Sequence, residues 1–400
     1  MIETLKEILH SSKHPKWYEP LRSVATARFK KIELPTKKNE QWKYANLRWV
    51  ESHQWSKNKK TKKSDVEGLL KSYQLDSKDV DYICIDGNFQ SINDSLDIAF
   101  ENMQNKIHVP SHDRNVTLFD ILLFAGLDDA IQLNFSKKRK LHVVFLATTK
   151  HQWHNIQLNL NVLKDSSDNQ IKISVIYPDS TLNLSINSHI QSKSSLDLMT
   201  WTAPSSKIIL NHYADAKKKS RLNGFFYNFE SSWVHERHNI DVDAEADVHL
   251  SGLLLPKNKD FDDKEIDIIH HSPKGKSHQM FYSVGRDKGK AVFHGRAIVK
   301  QTAPGTDARQ LAHALMLSEE CQIFSRPELE IDIDDVRCQH GSSVGQIDEK
   351  SLLYLRSRGI PYELAKNMII CGFIEEVILL LPEIWQDWIH QRVKFHGFSI

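Results

Sequence analysis

The chain has 400 residues, of which 40% are hydrophobic and 26% charged, with a formal net charge of +2. This length allows roughly two or three domains around a sizeable core, and the balance is ordinary for a globular protein. A net charge so close to zero gives no reason to expect nucleic acid or an anionic membrane as the main partner.

The first region, residues 1–140, mixes helical patterns with polar loops. Met1-Ile-Glu-Thr-Leu-Lys-Glu7 reads as a polar amphipathic helix, without the uninterrupted apolar core of a signal peptide. The basic run Lys57-Asn-Lys-Lys-Thr-Lys-Lys63 has no interleaved aromatic residues and reads as a solvated loop. The four cysteines are Cys84, Cys321, Cys338 and Cys371. They form no Cys-x-x-Cys pair and no disulfide framework, which suits a reducing cytoplasm. Cys84, Cys321 and Cys371 read as core residues.

The second region, residues 141–347, consists almost wholly of short alternating segments. Ile156-Gln-Leu-Asn-Leu-Asn-Val162, Ile171-Lys-Ile-Ser-Val-Ile176 and Ile240-Asp-Val-Asp-Ala-Glu-Ala-Asp-Val248 are examples. Such alternation predicts strands buried on one face. A sandwich, a barrel and a solenoid all accommodate it. There are only 15 glycines, no strict short repeat and few two-residue hairpin signals. That tilts the reading toward stacked coils, a right-handed parallel β-helix, within a mainly β fold flanked by N-terminal and C-terminal helical regions.

Two catalytic motifs fail on spacing. Gly275-Lys276-Ser277 would need a glycine at position 270 to wrap phosphates with backbone amides, and that residue is His270. His235-Glu-Arg-His238 is one residue short of the helical spacing that brings two zinc ligands onto one face. Glu330, Asp332 and Asp334 are predicted to line one strand face, as the acids of a β-solenoid polysaccharide-acting enzyme would. The plainer alternative is a solvated face. Alternation breaks at Asp334-Asp335, where a bulge or bend fits, and resumes with Val336, Cys338 and His340 on one face. A thiol and an imidazole two residues apart are two soft-metal ligands, which do not complete a metal site.

The third region, residues 348–400, is helical. Asp348 is placed to cap a first helix that Gly359 ends; Pro361 and Pro382 are placed to open a second and a third. Their wide apolar faces suit capping of the β core or docking of a partner.

Several segments together resemble the SufB/SufD family of iron–sulfur cluster assembly proteins. They are Ala291-Val-Phe-His-Gly-Arg-Ala-Ile-Val299, Thr306-Asp-Ala308, Pro327-Glu-Leu-Glu-Ile331, Asp334-Asp-Val-Arg-Cys-Gln-His-Gly341, Val344-Gly-Gln-Ile-Asp348 and Tyr354-Leu-Arg-Ser-Arg-Gly-Ile360. Leu34-Pro-Thr-Lys-Lys-Asn-Glu-Gln-Trp-Lys-Tyr44 is similar to the family's N-terminal signature. The Cys-x-His-Gly segment and the Leu-Arg-Ser-Arg-Gly turn look like the SufD branch. Arg337 and Gln339 stand where the family more usually has Lys and Ser.

The resemblance implies a right-handed parallel β-helix that pairs with SufB, and C-terminal helices that dock a SufC ATPase. It implies a non-catalytic scaffold in the cytoplasm that binds no cofactor permanently and shares iron or a nascent cluster with its partner. His340 and Cys338 map onto the family's metal-handling pair. Leu355, Arg356, Arg358, Gly359, Ile369 and Phe373 become candidates for the ATPase contact. A SufB-like role, holding the cluster directly, is the alternative within the family. The cysteine count suits sharing: iron–sulfur clusters generally take four protein ligands, mostly thiolates, and no four-cysteine set is present.

Overall fold

Three short strands, β1 (Tyr82–Ile85), β2 (Asn88–Ser91) and β3 (Ile98–Ala99), precede the solenoid; from Asp129 onward the alternating segments become the coil strands, two to a coil, from β4 (Asp129–Phe135) to β19 (Val336–Gly345). Within β4–β19, even-numbered strands stack into one parallel sheet and odd-numbered strands into the other, making about eight turns. Each strand pairs in register with the strand two further along the chain, as Trp153 to Val162 of β6 (Trp153–Val162) pair with Thr181 to Ile190 of β8 (Thr181–Ile190). The fold is therefore mainly β, a parallel β-solenoid with helices on its N-terminal and C-terminal sides. The computed structural model describes residues 9, 14–39, 42–52, 63–92, 97–107 and 116–398. The expected helix at Met1 to Glu7, the basic run before Lys63, and Glu40-Gln41 of the N-terminal signature lie outside the described residues.

One side chain in two faces the lumen between the sheets. Ile156, Leu158 and Leu160 of β6 join Leu182, Leu184 and Ile186 of β8 in a single buried apolar cluster. The expectation of burial on one face alone is corrected, because both outer faces are covered. On the even sheet, Trp153, Ile209, Trp233 and Phe261 pack against the N-terminal helices α1 (Glu19–Phe29), α2 (Arg48–Ser52) and α4 (Leu118–Ala125), with α3 (Lys63–Ser72) elsewhere. On the odd sheet, Trp201, Tyr227 and Leu253 pack against the C-terminal helices and against Leu70 of α3.

The outward asparagines Asn155 and Asn183 are consequently buried, and their side-chain N–H groups donate within the protein rather than to solvent. Asn183 donates to Asn155 Oδ1 at 2.9 Å and to the Phe119 carbonyl at 2.9 Å, while Asn155 donates to the Gly126 carbonyl at 3.0 Å. This ladder ties α4 to the sheet, and a buried amide left without such partners would be costly.

The corners explain the missing glycine signal. Lys193, Lys219, Glu245 and Lys274 all take positive φ, between 56° and 61°. Their amides donate across coils to the carbonyls of Lys218, Ala244, Pro273 and Pro304 at 2.9–3.2 Å. The left-handed corner is thus held by a repeated inter-coil hydrogen bond rather than by residue type, and the mild penalty for a non-glycine residue there is offset at each turn.

Candidate functional site

The break at Asp334-Asp335 is a solenoid corner. β18 (Gln322–Ile331) ends one residue before Asp332, and β19 belongs to the other sheet. Only Glu330 of the three acids lies on a strand; Asp332 and Asp334 sit in the corner. Lys300 Nζ lies 3.7 Å from both Glu330 and Asp332. The predicted line of acids on one strand face is therefore absent, and these are exposed, partly ion-paired groups.

β19 pairs with β17 (Thr306–Met316) and is the last strand of its sheet, as β18 is of the other. In a parallel pair, partnered residues project to the same side. Cys338 is the partner of Ala308, and His340 the partner of Gln310. Ala308, Gln310 and Ala312 are buried, and Ala312 belongs to the lumen cluster. Cys338 and His340 therefore share the inward face of the final rung, as the alternation predicts. Among the described residues no further coil covers them, so Cys338 is half-buried and His340 exposed. Burial pushes the Cys338 thiol above its usual range; a backbone hydrogen bond at Ala308 opposes this and the Asp307 carboxylate adds to it. Across the slab on the same rung, Ser342 Oγ donates to Ser325 Oγ at 2.8 Å. Among the described residues no group of three or more His, Cys, Asp or Glu could hold a metal ion. Cys338 and His340 thus offer a thiol and an imidazole at an open end. Such a pair can hold a soft metal ion only where other donors complete the set, and metal binding there would displace the thiol proton.

After β19, Asp348 accepts from the Ser351 amide at 2.8 Å and starts α5 (Glu349–Ser357). Gly359, at φ 83°, ends it in the left-handed conformation that suits glycine. Pro361 and Pro382 are the N-caps of α6 (Tyr362–Ile378) and α7 (Glu383–Phe395). Ile370, Ile374, Val377, Trp385 and Ile389 pack on the odd sheet. Of the candidate contact residues, Arg356 is exposed with its guanidinium 5.8 Å from the Tyr362 ring, and Arg358 is exposed 5.3 Å from the Tyr354 ring. Gly359 is exposed, and Leu355 and Ile369 are half-buried. Phe373 packs against Tyr282 with ring centroids 4.7 Å apart. Leu353, Tyr354, Leu364 and Met368 are exposed, between 45% and 66%. They fall within the helical surface from Leu353 to Phe373 that the resemblance marks as a candidate contact, but composition does not say which face of α5 and α6 the sheet takes.

A family profile described as "SUF system FeS cluster assembly, SufBD core domain" matches residues 145–373, more than half of the chain. The protein belongs to the SufBD family. It is 30% identical over 202 residues to the iron-sulfur cluster assembly protein SufD of Escherichia coli, covering 49% of this chain and 46% of that one. It is 37% identical over 115 residues to SufD of Bacillus subtilis, covering 29% and 26%. It is 33% identical over 150 residues to the chloroplastic protein ABCI7 of Arabidopsis thaliana, covering 36% and 32%. Each match spans less than half of the relative's length.

The SufBD core carries a second polar cluster, inside the solenoid, that sequence reasoning missed. The segment His235-Glu-Arg-His238 lies on β12 (Trp233–Val242) and splits by alternation. His235 and Arg237 face outward, where the His235 ring packs at a tilt against Trp42 with centroids 4.2 Å apart and Arg237 lies 3.5 Å from Asp120. Glu236 and His238 face the lumen. Lys264 of β14 (Phe261–His270), fully buried, bonds Glu236 at 2.5 Å and lies 3.8 Å from Asp262. His238 lies 3.2 Å from Glu236, and Asn228 donates to Glu236 at 2.9 Å. Burial raises the Glu236 carboxyl, but the Lys264 charge and the His238 hydrogen bond outweigh it and bring it down to about 2. Burial pushes Asp262 up to about 7 despite Lys264. His270 is also buried and bonds Ser277 at 2.9 Å. No helix among the described residues is long and apolar enough to cross a membrane.

Proposed function

We propose that this chain is a cytoplasmic scaffold subunit of the SUF assembly machinery. It pairs with SufB through the open end of its solenoid and is bound by a SufC ATPase through its C-terminal helices. Iron or a nascent cluster is built between the two scaffolds, with His340 and Cys338 as this chain's donors. The reading is carried by one observation: the thiol and the imidazole share the inward face of the last rung, where both sheets end in uncovered strands. Edge strands present unpaired amides and carbonyls to another chain, so an interface there brings foreign donors to the same place. The likeness to proteins named SufD supports the scaffold assignment. The exposed Leu353, Tyr354, Leu364 and Met368 beside Arg356 and Arg358 support the helical surface as the ATPase contact.

The test is anaerobic cluster reconstitution with all partners present. His340→Ala is expected to lower cluster yield more than Cys338→Ala, because the exposed imidazole is the better-placed donor. Wild-type yield from the His340 variant overturns the site. A stable full cluster on the chain purified alone overturns the shared-scaffold reading in favour of a cluster-holding one.

A further inference from the structure

Gln310 is the partner of His340 in the β17–β19 register and sits one rung deeper on the same face. It is 3% exposed, and neither its Nε2 nor its Oε1 has a hydrogen-bond partner among the described residues. A primary amide left in that state costs a few kcal/mol, and an apolar residue of the same shape would avoid the cost. The neighbours on the rung offer nothing to it: Ala308 and Ala312 flank it along β17. Below it in the same column is Gln279 of β15 (Lys276–Gly285), whose amide turns across the lumen and donates to the Arg296 carbonyl at 3.2 Å. Gly295 makes room for that turn, since a Cβ there would meet Gln279 Oε1 at 2.5 Å. Gln279 is thus held across the slab. Gln310 is not, and the polar group that follows it in the column is the His340 imidazole.

A metal-bound histidine generally donates its second ring N–H to a carbonyl or carboxylate, which fixes the ring and its tautomer. We propose that Gln310 is a positioning residue for the iron site: its buried amide oxygen receives the non-ligating N–H of His340 when the other ring nitrogen holds iron. The amide oxygen, unpaired in the free chain, then gains a donor at the moment of loading. This rests on the assignment of His340 as a donor, and it adds a residue whose own fold role is unfavourable.

The experiment titrates the chain in complex with its SufB and SufC partners anaerobically with ferrous ion, follows Co(II) as a spectroscopic substitute, and records thermal melts of every variant as the free chain. For Gln310→Leu the expected result is a metal affinity 10–100-fold weaker, an altered Co(II) visible spectrum, and a melting temperature equal to or above wild type. Gln310→Met, of matching length, is the second variant should leucine pack badly. A Gln310 variant that binds like wild type while His340→Ala loses binding overturns this inference alone. Unchanged binding in His340→Ala, or no binding by the wild type, overturns the site on which it rests. A Gln310 variant that melts well below wild type yet binds normally shows a packing role instead.

Discussion

Replacing Lys264 by methionine isolates the charge inside the solenoid. Lys264 and Glu236 are both fully buried and 2.5 Å apart. Their attraction offsets the several kcal/mol that each ion loses on leaving water, so the pair as a whole contributes little net stability. Removing only the lysine leaves Glu236 to stay charged with only the His238 and Asn228 hydrogen bonds, or to take a proton. Taking the proton is cheaper. The carboxyl now sits at about 2 against an ordinary value of 4.5. Holding a group of ordinary pKa protonated at pH 7 costs about 3 kcal/mol, at 1.36 kcal/mol per unit. Spread over an unfolding entropy of about 2 cal/mol/K per residue, that is a fall of about 4 °C in melting temperature. The penalty shrinks by about 1.4 kcal/mol for each unit that pH drops toward 4.5. Thermal and urea denaturation of Lys264→Met, Glu236→Gln and the double variant, at pH 7 and pH 5, measure it. The double variant is expected to recover most of the loss. A single variant as stable as wild type at pH 7, or a penalty independent of pH, refutes the reasoning.

Asp262 gives the opposite pH signature. Its folded value of about 7 lies above the ordinary 3.8, so its contribution to stability is full below about 4 and is lost as pH rises toward 7. Asp262→Asn removes that loss, and its advantage over wild type is expected to be roughly 2–3 kcal/mol larger at pH 8 than at pH 5; equal differences at the two pH values contradict the assignment. On the C-terminal helices, Leu353→Glu and Met368→Glu are expected to weaken capture of the ATPase subunit at unchanged melting temperature. Phe373→Ala, against Tyr282, is expected to cost about 2 kcal/mol of stability. Equal effects of all three on capture and melting would show that the exposed face and the packed face are not separate.

The final rung was legible in the sequence because its chemistry follows the strand period: Val336, Cys338 and His340 alternate with exposed residues, and the acids before them mark a turn. The C-terminal helices were legible from Asp348, Gly359, Pro361 and Pro382, whose backbone preferences act locally. What the strand period could not convey was what lies beyond each face. Asn155 and Asn183 look like solvated positions, yet they bond backbone carbonyls of the N-terminal segment from more than twenty residues away. The corners hid for a related reason, since Lys219 and Glu245 adopt the left-handed conformation through bonds to the next coil. The lumen charges were invisible because Glu236 and Lys264 lie 28 positions apart and meet only when coils stack. Gln310 likewise acquires meaning only from its register with His340.

The central claim is that His340, at the uncovered end of the solenoid, touches iron that a partner also holds. Nitrogen hyperfine coupling in the assembled complex, with the iron in a paramagnetic state and histidine ¹⁵N-labelled in this chain alone, tests it directly. The account predicts a ¹⁵N coupling that disappears in His340→Ala and persists in Cys338→Ala. A complex loaded with iron that shows no such coupling, or one that keeps it without His340, contradicts the account.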